Sequence, residues 1–107
     1  MTEHDEQKAV ITWARMQYKD LLIFAIPNGG QRHPAIARKL KAEGVLAGIP
    51  DLCLISQDQI CFIEMKTEKG KLSNTQKAMK RKIEDYGFRV EICYGFEQAK
   101  EFIERWI

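Results

Sequence analysis

Long apolar runs are missing from this sequence. No stretch approaches the ~20 residues that a membrane-spanning helix needs, and the N-terminal MTEHDEQ is acidic and polar where a secretory leader would be basic and then apolar. The chain is therefore expected in the cytoplasm, without a membrane partner. Cysteine is scarce: Cys53, Cys61 and Cys93 each lie inside an apolar run, and no pair has the C-x-x-C spacing of a zinc or redox site. All three are expected as reduced core residues. His4 and His33 have polar neighbours and no second histidine at metal-binding spacing, so both are expected to be solvated. No repeat, linker or low-complexity tract interrupts the chain, and residues 1–107 are expected to form one domain. Its core is near the lower limit for a chain without disulfides or metal, and a dimer would relieve that.

What is present is an ordinary globular composition, 45% hydrophobic and 30% charged, which argues against disorder. The net charge of +2 says little about partners, but its distribution is uneven. Between residues 66 and 82, seven basic side chains (Lys66, Lys69, Lys71, Lys77, Lys80, Arg81 and Lys82) stand against one acid, Glu68. The default for such a run is a solvated helix face. Its adjacency to Lys66 favours a phosphate track, because clustered Lys and Arg add salt-dependent affinity for a duplex.

Periodicity predicts the element order α-β-α-β-β-α-β-α, hence an α/β fold with a central mixed β-sheet flanked by helices on both faces. Thr2 with Asp5 resembles a capping box that opens the first helix, whose stripe runs through Glu6, Val10, Trp13, Ala14 and Gln17. LLIFAIP reads as a buried strand and NGG as a tight turn. In PAIARKLKAEG, Pro34 opens a helix and Gly44 closes it. GIPDLCLIS and ICFIEMK then form a hairpin. With Gln57 and Asp58 as a two-residue loop, Ser56 pairs with Gln59 and Asp51 falls opposite Glu64; a three-residue loop would shift this by one place. Ser73 or Asn74 caps a helix that ends at Gly87. FRVEIC is the last strand, and Phe96, Ala99, Ile103 and Trp106 line one face of the last helix.

The chemistry concentrates at the end of that hairpin. Side chains alternate along a strand, so Glu64 and Lys66 share a face with Phe62, on a strand apolar enough to be buried. A salt bridge between them is the plain explanation. Asp51, however, arrives at the same end, and adjacent carboxylates repel unless a cation lies between them. Two carboxylates with a backbone carbonyl and water make the hard oxygen set that suits Mg²⁺ or Mn²⁺. A lysine beside such an ion suits phosphodiester hydrolysis. Pro50-Asp51, twelve intervening residues and Glu64-x-Lys66 form the PD-(D/E)xK arrangement.

EHDEQKAVITWA, IPNGGQR, AGIPDLCLI, FIEMKTEKGKLSNTQ and VEICYGFEQA together resemble the VRR-NUC family of PD-(D/E)xK nucleases, over nearly the whole length. The resemblance implies a restriction-endonuclease-like core and a Mg²⁺- or Mn²⁺-dependent DNA endonuclease. By the same resemblance, Glu6 is the acid of helix one. Glu6, Asp51, Glu64 and the Met65 carbonyl are the metal ligands, Lys66 is the catalytic lysine, and Gln76 is a polar position beside the site. Small members of the family are often encoded by phages or bacteria and resemble dimeric Holliday-junction resolvases. That implies a homodimer acting on four-way junctions or other branched DNA in a bacterial or phage-infected cell. Asn28, Gly29, Arg32, Lys69, Lys71, Lys77, Lys80 and Arg81 are the candidate DNA contacts, although NGG alone most often means only a turn. Phe88, Trp106 and Ile107 are candidates for the dimer interface. The alternatives are a non-catalytic DNA-binding module on a nuclease fold, a duplex-specific restriction-type nuclease, and an interaction domain in which the three charges form a buried network.

Overall fold

Two capping boxes fix where helices begin. In the computed structural model, which describes residues 1–28 and 33–107, the Thr2 hydroxyl accepts from Asp5 N and the Asp5 carboxylate accepts from Thr2 N, opening α1 (Glu3–Gln17). Ser73 and Gln76 make the same reciprocal pair and open α3 (Asn74–Asp85). Each box satisfies two backbone donors that a helix start leaves unpaired. His33 caps α2 (Pro34–Ala42) by accepting from Ala35 N through Nδ1, so this histidine has a local structural task that its polar surroundings did not signal. Gly44 and Gly87 follow α2 and α3 with φ of 103° and 95°, the left-handed turn at which glycine ends a helix. α4 (Phe96–Trp106) closes the chain.

The four strands β1 (Leu22–Ala25), β2 (Leu52–Ser56), β3 (Gln59–Lys66) and β4 (Arg89–Tyr94) lie side by side in chain order. β1, β2 and β3 are antiparallel neighbours, whereas β3 and β4 run parallel through the α3 crossover, so the sheet is mixed. Ser56 pairs with Gln59 and Leu52 with Ile63, which is the register of a two-residue loop. Gln57 takes φ of 47° there, a left-handed conformation that asparagine or glycine would adopt more readily.

α1 packs on α4, β1 and β3, and α4 on β4. Between them these elements bury Val10, Ala14, Ile23, Leu54, Cys61, Ile63, Met65, Cys93, Ala99, Phe102 and Ile103. Each buried aliphatic or aromatic side chain contributes about 2 kcal/mol by leaving water. All three cysteines are free and buried, and burial pushes the Cys61 and Cys93 thiols up to about 12. α3 covers the β4 side of the opposite face, where Ile83 is buried.

The first strand departs from expectation: only Ile23 of β1 is buried, and Leu22 and Phe24 are exposed. β1 lies at the sheet edge with one face uncovered, so its apolar run does not mean burial on both sides. The Arg15 guanidinium donates to Ile23 O at 2.9 Å and so occupies an edge acceptor that another strand could use. Trp106 packs against the core and is used by the fold itself, whereas Phe88 and Ile107 are exposed.

Candidate active site

The hairpin register brings Asp51 beside Glu64, because Leu52 pairs with Ile63 and the next pair outward is Asp51 with Glu64. Asp51 sits just before β2 and is fixed through three of its oxygens. Oδ2 accepts from Met65 N at 2.8 Å, Oδ1 accepts from Asn28 Nδ2 at 3.2 Å, and its carbonyl accepts from Ile26 N at 2.8 Å. One oxygen of this acid is therefore tied to the backbone next to Glu64.

Glu64 is the one charged residue in the core among those described, at 3% exposure, and as a carboxylate it finds no donor for either oxygen. Burial first, then the hydrogen bond that its protonated form shares with the Asp51 carboxylate, and then the charge of that carboxylate, push its carboxyl up to about 8, with Lys66 pulling the other way. An ion pair with Lys66 does not account for Glu64: the ion pairs among the described residues are Lys80–Glu84 and Arg89–Glu91. A buried, unpartnered carboxylate costs several kcal/mol. Lys66 is half-buried and continues the Phe62–Glu64 face by alternation.

An open cavity of about 370 Å³ adjoins Asp51, lined also by Glu3, Asn28, Gly48, Ser73, Thr75 and Gln76 among others, while Glu64 and Lys66 are not part of its lining. Gly48, at φ 79°, packs so close to α3 that an added Cβ would lie 2.7 Å from Thr75 O, so this wall of the cavity requires glycine. Gln76 lines the cavity while its Oε1 accepts from Ser73 N in the capping box.

Glu6 is not among the lining residues. Its Oε2 accepts from Phe96 N, holding α1 to the start of α4, which Gly95 opens with φ of 96°. The acid of α1 that faces the cavity is Glu3, which sequence reasoning missed. Burial and the Asp51 charge raise its carboxyl, and Lys66 opposes them. The missed signal is spacing: Glu3 is one turn before Glu6 on the same helix face.

Lys77, Lys80 and Arg81 line a groove along α3 with Leu72 and Ile92, but Glu84 and Asp85 share it and Lys80 is paired to Glu84 at 2.9 Å. Lys69 and Lys71 are exposed between β3 and α3. The DNA contacts expected at Gly29 and Arg32 lie outside the described residues. Among the described residues no group of three or more His, Cys, Asp or Glu side chains could hold a metal ion, and no helix is long and apolar enough to cross a membrane.

A mixed sheet flanked by helices, with a hairpin that carries an acid pair and a lysine to one end, defines a small protein of nuclease-type fold. The chain belongs to the VRR-NUC family: the model of the VRR-NUC domain matches residues 1–97. Among solved structures, a VRR_NUC domain protein is 22% identical with a TM-score of 0.77, the match covering 100% of this chain and 88% of that one. A VRR_NUC domain is 21% identical with a TM-score of 0.64, covering 95% of this chain and 98% of that one. At this identity the likeness is one of fold. No curated protein matches the chain.

Proposed function

We propose that the chain is a divalent-cation-dependent DNA endonuclease, and the observation that carries this reading is the buried Glu64 carboxylate without a partner beside Asp51. Two carboxyls in contact, one of them buried, ionise together only with a cation between them, and an all-oxygen donor set of two carboxylates suits Mg²⁺ or Mn²⁺. Asp51, Glu64 and the Met65 carbonyl would hold it, with Glu3 rather than Glu6 as the α1 acid beside them. When bound, the ion supplies Lewis-acid stabilisation of the charge that builds on a phosphodiester under attack.

The chain's own groups do the rest. Asp51 is held rigid by Met65 N and Asn28, so little reorganisation is needed on binding. The Lys66 ammonium offers hydrogen bonds to a phosphate oxygen and can orient the attacking water. Gln76 lines the substrate side of the cavity, and Lys69, Lys71, Lys77 and Arg81 supply backbone contacts that do not read sequence.

We further infer a homodimer that acts on branched DNA, since resolving a four-way junction takes two symmetrically placed cuts. The open sheet face supports it. Leu22, Ile55 and Ile60 form one cross-strand row, Phe24, Cys53 and Phe62 the next, and Phe88 stacks edge-on to Phe62 with centroids 6.5 Å apart. These two rows carry no charged side chain, although the same face continues into Glu64 and Lys66, and an apolar surface of this kind suits a second copy and not a phosphate backbone. The test is cleavage of end-labelled linear, nicked, flap and four-way-junction DNA with Mg²⁺, Mn²⁺ or EDTA. Junction cutting in Mg²⁺ that EDTA abolishes is expected; undiminished cutting by metal-stripped protein would overturn the cation, and equal cutting of all substrates would overturn the structure preference.

A further inference from the structure

We infer that Asn28 is a positioning residue for Asp51 in cation binding rather than a contact for DNA, an inference that rests on the cation reading above. The segment before α2 is stitched to Asp51 twice: Ile26 N donates to the Asp51 carbonyl at 2.8 Å, and Asn28 Nδ2 donates to Oδ1 at 3.2 Å. Met65 N already holds Oδ2 at 2.8 Å. With one donor on each oxygen, the carboxylate plane cannot rotate about the side chain's last bond, and each oxygen keeps a lone pair for a further partner. Without Asn28 only Oδ2 is held, and the carboxylate is free to turn about that single contact.

The Asn28 amide is thereby committed. Its N–H points at an acid of the candidate site, and the residue lines the same cavity as Glu3 and Gln76. A phosphate would have to break that hydrogen bond to use the donor. Outer groups that orient a metal ligand typically carry 10–100-fold in metal affinity, and that is the size of effect expected here.

The experiment titrates Mn²⁺ alone into wild-type protein, Asn28→Ala and Asn28→Gln, by the loss of the free-Mn²⁺ paramagnetic resonance signal, and measures duplex binding by the same three proteins in EDTA. Asn28 is a half-buried loop residue, and circular dichroism checks that both variants keep the wild-type fold. Asn28→Ala is expected to weaken Mn²⁺ binding at least 10-fold with duplex binding unchanged, and Asn28→Gln, which keeps the amide donor, to stay within a few-fold of wild type. Wild-type uptake matched by Asn28→Ala would overturn the inference and leave the cation reading standing. So would duplex binding lost in EDTA with Mn²⁺ affinity kept, which would make Asn28 a DNA contact. A wild-type protein that takes up no Mn²⁺ would overturn the cation reading and this inference with it.

Discussion

Replacing Glu64 by glutamine should stabilise the metal-free protein, and by an amount that depends on pH. The folded chain holds the Glu64 proton up to about pH 8, against an ordinary value of 4.5. Between those limits the folded state is protonated and the unfolded state is not. Stability is therefore intact below pH 4.5 and falls by about 1.4 kcal/mol per pH unit until it levels off above pH 8. The loss is on the order of 3 kcal/mol at pH 7 and roughly 5 kcal/mol above pH 8, where the carboxylate is ionised with no partner. Glutamine is close in shape and cannot ionise, so Glu64→Gln avoids that loss. For a chain of this size, 3 kcal/mol raises Tm by on the order of 10 °C or more. Thermal unfolding followed by circular dichroism in EDTA at pH 4.5, 7 and 8.5 measures it. A gain that is the same at all three values, or a loss at pH 8.5, would refute the reasoning.

Glu6→Ala should lower Tm by a few degrees, since losing a helix-start acceptor costs about 1 kcal/mol, while cleavage survives; Glu3→Gln should leave Tm nearly unchanged and slow cleavage. The opposite pattern would return Glu6 to the site. Lys66→Ala should lose cleavage by orders of magnitude while the salt dependence of DNA binding shifts by about one unit; parallel loss of both would mark Lys66 as an ordinary phosphate contact. Phe24→Asp should shift the mass measured by light scattering toward the monomer's 12.4 kDa, and an unchanged oligomer would remove the open sheet face as its interface.

The parts of the fold that local chemistry decides were legible in the sequence. Thr2 with Asp5 and Ser73 with Gln76 set helix starts through contacts three residues apart, and the Gln57-Asp58 loop sets the register that places Asp51 beside Glu64. What was not legible depends on which neighbour a face meets. The stripe on α1 gave the direction of Glu6 correctly, but not that the start of α4 stands there, nor that Glu3 one turn earlier reaches the cavity. β1 is as apolar as a buried strand, and only the sheet order makes it an edge with Leu22 and Phe24 exposed. Asn28 had a polar turn's composition, and its bond to Asp51 spans 23 residues that no local pattern links.

Whether Glu64 is kept for a cation can be read by calorimetric titration of Mn²⁺ into the wild-type protein and Glu64→Gln at pH 7, repeated in buffers of different ionisation enthalpy. The wild-type protein is expected to bind and to release close to one proton per cation, because the Glu64 carboxyl, held protonated up to about pH 8, must ionise to coordinate. Glu64→Gln should bind far more weakly and release none. Binding of equal strength by both proteins, or no uptake by the wild type, would contradict it.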